Sequence, residues 1–137
     1  MSLQLHIVTP VKAAFSGAAT SVIVPGLEGQ FGVLPQHDCF LALAKAGVAT
    51  VATASGEQRF VIGRGFAEVT TAQASGGWST LVTLLTEVCE PVSAIDKDKA
   101  RKELADAEAA LAAAESGTER WRIAGARVEL ARVRLDA

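Results

Sequence analysis

The sequence predicts a mainly β N-terminal part, a sandwich or barrel, followed by a C-terminal antiparallel α-helical hairpin. Three observations carry this. Short apolar runs with β-branched residues recur between glycine and proline signals up to about residue 90. At Pro91 the composition turns to alanine, lysine, arginine, glutamate and aspartate. Within that second stretch, Ser116-Gly117-Thr118 divides two helical patterns. The expected domains are therefore 1–90 and 91–137.

The β elements follow in order. Leu3, Leu5 and Ile7 alternate with Gln4 and His6, the period of a strand with one buried face. The runs Val22-Ile23-Val24, Phe31 to Leu34, Val48 to Val51, Phe60-Val61-Ile62, Phe66 to Val69 and Leu81 to Val88 read as further strands. Turn signals separate them at Ser16-Gly17, Pro25-Gly26, Pro35, Gly47, Ser55-Gly56, Gly63 and Gly65. Short strands so punctuated argue for antiparallel pairing. Ala54-Ser55-Gly56-Glu57 has the look of a hairpin turn.

The helical elements are read from caps and faces. Ser93 stands three residues before Asp96, a weak capping box that predicts a helix over about 93–115. Ile95, Leu104, Leu111 and several alanines align along it. Ser116 with Glu119 makes a second box, after which Trp121, Ala124, Val128, Ala131 and Leu135 share one face. A short turn between two such helices predicts an antiparallel pair. An alanine-rich seam buries little apolar area, so its docking is weak. Two readings stay open: a movable element, or a hairpin permanently docked.

Composition excludes several classes. The chain has 137 residues, 50% of them hydrophobic and 20% charged, which suits one domain with a small appendage and argues against disorder. A net charge of -2 gives no electrostatic pull toward nucleic acid. The first basic residue is Lys12, so no signal peptide is expected. The uncharged window from Val69 to Thr86 is broken by Gln73, Ser75, Gly76, Gly77 and threonines, so no membrane span is expected. Cys39 and Cys89 sit in unrelated contexts, and two buried reduced thiols are expected rather than a disulfide.

No catalytic residue and no metal ligand is predicted. His6 and His37 lie on different elements, and His6 alternates with apolar neighbours as a surface strand residue does. His37, Asp38 and Cys39 are consecutive, so in extended chain they point to opposite faces and cannot form a nucleophile–base line. Zinc spacings are absent from the sequence. Gly63-Arg64-Gly65 lacks the third glycine and the helix of a dinucleotide fingerprint. Gly26-Leu27-Glu28-Gly29 carries an acid where a phosphate clamp needs a base.

What remains is surface for partners. The stretch Val24 to His37 holds three glycines, two prolines and one histidine directly after an apolar strand. It reads as a shaped recognition loop, with Glu28 and Gln30 flanking the tip, Phe31 following and His37-Asp38 exposed at the end. The second helix carries Arg120, Arg122, Arg127, Arg132 and Arg134 against Glu119, Glu129 and Asp136, an excess of two positive charges. Such a run is either a solvated face or a docking surface for an acidic partner.

These residues resemble the ATP synthase epsilon subunit family over almost the whole chain. Leu5-His6-Ile7-Val8-Thr9-Pro10 with Phe15-Ser16-Gly17 is similar to the family's opening. The loop from Val24 to His37 is similar to its central signature, and Gly63-Arg64-Gly65-Phe66-Ala67-Glu68-Val69 to its second. The resemblance implies a ten-stranded sandwich plus helical hairpin, and a non-catalytic rotor subunit of the proton-translocating enzyme that links gamma to the c-ring. The loop of Glu28, Gln30, Phe31 and His37 would meet the ring, although an acid often stands in the family where this chain has Gln30. The hairpin of some relatives restrains ATP hydrolysis by reaching the alpha and beta catalytic subunits, here through Arg120, Arg122 and Arg127. Some also bind regulatory ATP at an Ile-Asp-x-x-Arg-Ala motif. This chain has Ile95, Asp96, Lys99 and Ala100 there, with lysine in place of the arginine fork. No cofactor is required by the resemblance.

The implied location is peripheral, on the cytoplasmic face of a bacterial plasma membrane or, alternatively, on an organellar energy-transducing membrane. Gln73 to Trp78 is longer than the family's usual turn. The competing reading is a free-standing β-module that binds a ligand or a protein.

Overall fold

The computed structural model describes residues 2–137. The chain divides into two units, with the boundary between Pro91 and Val92. The first holds β1 (Leu3–Val8), β2 (Ala13–Ala19), β3 (Ser21–Val24), β4 (Phe31–Val33), β5 (Phe40–Ala44), β6 (Gly47–Thr53), β7 (Gly56–Ile62), β8 (Gly65–Ala74), β9 (Gly77–Thr86) and β10 (Cys89–Pro91). The second holds a 3-10 turn at Val92–Ala94, then α1 (Lys97–Ala113) and α2 (Glu119–Asp136).

The strands make two five-stranded sheets, ordered β2-β1-β9-β8-β5 and β10-β7-β6-β3-β4. The described strands form a sandwich and not a closed barrel, so β4 and β5 are left as edges on the two layers. Alternation places Leu5 and Ile7 of β1, Val22 and Val24 of β3, Val51 of β6, Val69 of β8 and Val82 and Leu84 of β9 in one core, each at most 1% exposed. Burying a side chain of this size contributes about 1.5–3 kcal/mol, which is why the bulky residues hold the sandwich together. β6 and β7 pair from Gly47↔Ile62 to Thr53↔Gly56, closing on Ala54-Ser55 as the sequence predicted.

Three β readings change. Ser16 and Gly17 are not a turn but lie inside β2, opposite His6 and Leu5. The turn is at 9–12, where Thr9 N donates to Lys12 O and Lys12 N donates to Thr9 Oγ1. A Cβ at Gly17 would meet only the Phe15 ring, at 3.8 Å, an ordinary contact, so neither space nor a turn requires glycine there. Second, β1 pairs with β9 in parallel, against the antiparallel expectation. These strands are remote in sequence, so no tight turn dictates their direction. Third, Cys39 is exposed and free, while Cys89 is buried and free. Cys39 falls just before an edge strand, where only one side is covered. Burial pushes the Cys89 thiol up to about 11, against an opposing influence from Lys12.

The helix caps also differ. Ser93 belongs to the 3-10 turn, and Asp96 is the N-cap of α1, accepting from Asp98 N and Lys99 N. An aspartate with free N–H groups two and three residues ahead is the better cap. Likewise Thr118, not Ser116, caps α2, its Oγ1 accepting from Trp121 N. Gly117 takes φ 85 in the turn. The seam between the helices is small: Ala100 and Ala107 of α1 face Ala124, Val128 and Ala131 of α2, and these are the buried residues. Leu104, Leu111 and Leu135 are only half-buried, Ile95 precedes the helix, and Trp121 is exposed.

Candidate functional site

The loop after β3 runs alongside edge strand β5. Gly26 bridges to Ala44, Leu27 N donates to Leu43 O at 2.9 Å, and Lys45 N donates to Pro25 O at 2.9 Å. The loop thereby ties the edge of one sheet to the other. Gly29 N donates to Gly26 O at 3.1 Å, closing a tight turn. Gly29 adopts φ 136, a conformation that favours glycine, and a Cβ there would meet nothing. Gly26 is needed for space: a Cβ would lie 2.5 Å from Gly29 O and 2.9 Å from the Phe31 ring.

Glu28 and Gln30 are exposed on this loop. Phe31, the first residue of β4, packs on the core and meets Phe40 edge-on with ring centroids 5.3 Å apart. Phe40 also meets the His37 ring at 5.9 Å. So Phe31 and His37, six residues apart, are joined through Phe40, which sequence reasoning missed. His37 is half-buried rather than exposed, with Nδ1 2.7 Å from Asp38 O. The loop and β5 flank an open groove of about 420 Å³, walled by Phe31, Phe40 and Leu43 and rimmed by Glu28 and Gln30. Gln36 holds the turn before His37 at φ 68, and its N–H donates to Thr80 Oγ1 at 2.8 Å. Nothing in the composition of Pro35-Gln36 marks that conformation, since glycine, asparagine or aspartate usually supplies it.

Beyond the groove, the outward residues of β5, β8 and β9 include Leu41, Leu43, Phe66, Leu81 and Leu85, interspersed with Glu68, Thr70 and Thr83. Leu43 pairs with Phe66, and Phe66 with Leu85; Leu41 and Leu81 lie on the same face. Leu41 is 66% and Leu43 60% exposed, and Phe66 and Leu81 are also exposed. Leu41 and Leu43 adjoin Phe66 across β5 and β8, while Glu68 and Thr70 stand between them and Leu81. Phe66 and Leu81 read as ordinary strand residues, Leu41 and Leu43 fell in no predicted strand, and only the register gathers them.

The other candidate residues separate into two groups. Asp96 spends its carboxylate on the α1 cap, and Ala100 is buried in the helix seam, while Lys99 stays exposed. Arg120 and Arg127, with Ile123, line a groove of about 360 Å³ against Ala110, Ala113 and Ala114. Arg122 does not join them: it pairs with Glu119 one turn back. That hydrogen bond, and then the guanidinium charge, hold the Glu119 carboxyl below its usual range. Gln73 pairs with Trp78 at the end of the β8–β9 hairpin, which turns at Ser75-Gly76. Among the described residues no cluster of three His, Cys, Asp or Glu side chains could hold a metal, and no helix is long and apolar enough to cross a membrane.

The fold and site define a class: a β-sandwich presenting a shaped loop and exposed apolar side chains, followed in the chain by a helical pair. Residues 2–75 match the family described as the ATP synthase, Delta/Epsilon chain, beta-sandwich domain. The ATP synthase epsilon chain of Maricaulis maris (strain MCS10) is 38% identical over 118 residues, 86% of this chain and 83% of the relative. That of Myxococcus xanthus (strain DK1622) is 33% identical over 135 residues, 98% and 93% of the two chains. The chain belongs to the ATP synthase delta/epsilon chain family. A chain of the Euglena gracilis mitochondrial ATP synthase (OSCP/F1/c-ring in rotational state 1) shares the fold at a TM-score of 0.74, with 24% identity over 96% of this chain and 78% of that one. A chain of the Tetrahymena thermophila mitochondrial ATP synthase (central stalk/c-ring) does so at 0.56, with 13% identity over 99% and 96%. Likeness along nearly the full length supports the family reading and not a free-standing binding module.

Proposed function

We propose that this chain is the central-stalk subunit through which an F-type ATP synthase couples gamma to the c-ring, its bond chemistry being left to the catalytic subunits. The observation that carries the proposal is the apolar outer face of Leu41, Leu43, Phe66 and Leu81 beside the recognition loop. A rotor part must hold two partners at once without slipping. The apolar face suits a permanent contact with gamma, and the polar loop tip of Glu28 and Gln30, backed by Phe31 and His37, suits the polar loops of the ring. The subunit is then peripheral on the membrane, on the cytoplasmic face of a bacterial plasma membrane, the organellar membrane being the alternative.

Its test is co-purification of tagged gamma with Leu43→Glu/Phe66→Glu. Loss of gamma from a variant whose circular dichroism is unchanged supports the reading; retention at wild-type stoichiometry overturns it.

The helical hairpin is proposed to restrain ATP hydrolysis by meeting the alpha and beta subunits. What supports this is the exposed groove with Arg120 and Arg127, to which an acidic helix is complementary. Arg122, paired with Glu119, contributes less. ATP is proposed as a regulatory ligand at Ile95, Asp96, Lys99 and Ala100. Exposed Lys99 beside the N-terminus of α1 supports it, and the duties of Asp96 and Ala100 in cap and seam weigh against it. Calorimetric titration with ATP, compared with Lys99→Ala, tests this; no heat from the parent ends the proposal.

A further inference from the structure

Lys97 opens α1, yet its ammonium lies at the far end of α2. Nζ donates to the carbonyl oxygens of Arg134 at 2.9 Å and Leu135 at 2.7 Å, and to the terminal oxygen of Ala137 at 2.6 Å. Carbonyls in the last turn of a helix lack intrahelical donors and carry the negative end of its dipole, so a cation there is favoured twice over. The same charge is poorly placed for its own helix, whose first turn is the positive end and favours acids. Position 97 is therefore explained by α2, not by α1. Burial agrees: Lys97 is half-buried, while Lys99 and Lys102 are exposed.

A second tie lies farther along α1, where Arg134 meets Glu103 at 3.0 Å with the Arg134 side chain only 19% exposed. Arg132 and Glu108, at 3.4 Å, are exposed on both sides, and such a pair holds little. Beyond these, the fully buried residues of the seam are alanines and one valine, with half-buried Leu111 of α1 reaching toward Gly125 of α2 and the turn at 114–118 as the covalent joint. A helix of this length spans about 25 Å. The open end is the point farthest from the joint, where a tie most restricts separation.

We propose that Lys97 is a latch closing the open end of the hairpin, and that its release lets the last turns of α2 leave α1 while the turn keeps the helices joined. Its regulatory meaning rests on the hairpin reading above; the latch itself does not. Amide hydrogen exchange on the full chain tests it, comparing the parent with Lys97→Gln and Lys97→Arg. Lys97→Gln is expected to speed exchange in residues 131–137 at least tenfold, with the sandwich and residues 103–113 unchanged. Lys97→Arg, which keeps a cation with donors, is expected to retain part of the protection. Parental exchange in Lys97→Gln overturns the latch. So does equal loss throughout both helices, which makes Lys97 a determinant of folding, and so does a Lys97→Arg as fast as Lys97→Gln. In the assembled enzyme Lys97→Gln should alter the inhibition of ATP hydrolysis. Faster exchange with unaltered inhibition keeps the latch and removes the hairpin reading.

Discussion

Replacing Gly29 by alanine tests whether the recognition loop is shaped by backbone conformation or only by composition. At φ 136 with no atom within 4 Å of the added Cβ, the cost is conformational and not steric. Holding a non-glycine residue in such a region costs on the order of 1–3 kcal/mol. In a β unit of this size each kcal/mol lowers Tm by roughly 4–8 °C. Gly26→Ala should cost a similar amount for the opposite reason. Its φ is not positive, but the Cβ would stand 2.5 Å from Gly29 O, and crowding of this kind costs about 1–3 kcal/mol. Because both changes distort one turn, the double variant should cost less than the sum. Gly32 is the control: it lies in β4 with ordinary φ and only Val22 O, at 4.0 Å, near the added carbon. There alanine should be neutral, or stabilise by about 0.4–1 kcal/mol by restricting the unfolded chain. Urea unfolding followed by far-ultraviolet circular dichroism reads all four. If Gly29→Ala falls within about 0.3 kcal/mol of the parent, or Gly32→Ala costs as much as the other two, the loop is not conformationally specified and the reasoning fails.

Three further outcomes are expected. A chain ending at Pro91 should unfold in one cooperative β-type transition, because the bulky core lies wholly within β1 to β10; aggregation in native buffer would count against it. Cys39 should alkylate rapidly at neutral pH while Cys89 is spared. The folded state keeps the Cys89 proton up to about pH 11, against the ordinary value of 9.0, so this group's stabilisation is complete below pH 9 and lost between 9 and 11; denaturation midpoints that do not fall across that window contradict it. Neutralising Arg120, Arg122 and Arg127 together should relieve inhibition of ATP hydrolysis in the reconstituted head and leave gamma binding intact, with Arg120 and Arg127 responsible for most of the effect; inhibition equal to the parent's shows the hairpin is not a charge-docked brake.

The sequence by itself determined the elements whose local signals agree. Leu3, Leu5 and Ile7 declared a half-buried strand because side chains alternate with period two, and Ala54 to Glu57 declared a hairpin because the turn is local. The break at Pro91 and the two helices were legible because propensity changes abruptly there. β2, β5 and β10 were not legible: AAFSGAA, FLALA and CEP carry little β-branched signal and become strands because β1, β8 and β7 offer them edges. The caps at Asp96 and Thr118 were displaced by two or three residues, since several polar residues near each start can serve and the winner is whichever meets free N–H groups. Glu28, Gln30 and Phe31 were placed on the loop after β3 from glycine and proline spacing. The apolar residues were not gathered, because Leu43 meets Phe66 only through register between β5 and β8, which β6 and β7 separate in the chain. Only the tertiary structure could show that Phe40 joins Phe31 to His37, or that Lys97 at the start of one helix closes the end of the other. Local sequence governs dihedral preference and burial period; which distant residues meet is decided by how the whole chain packs.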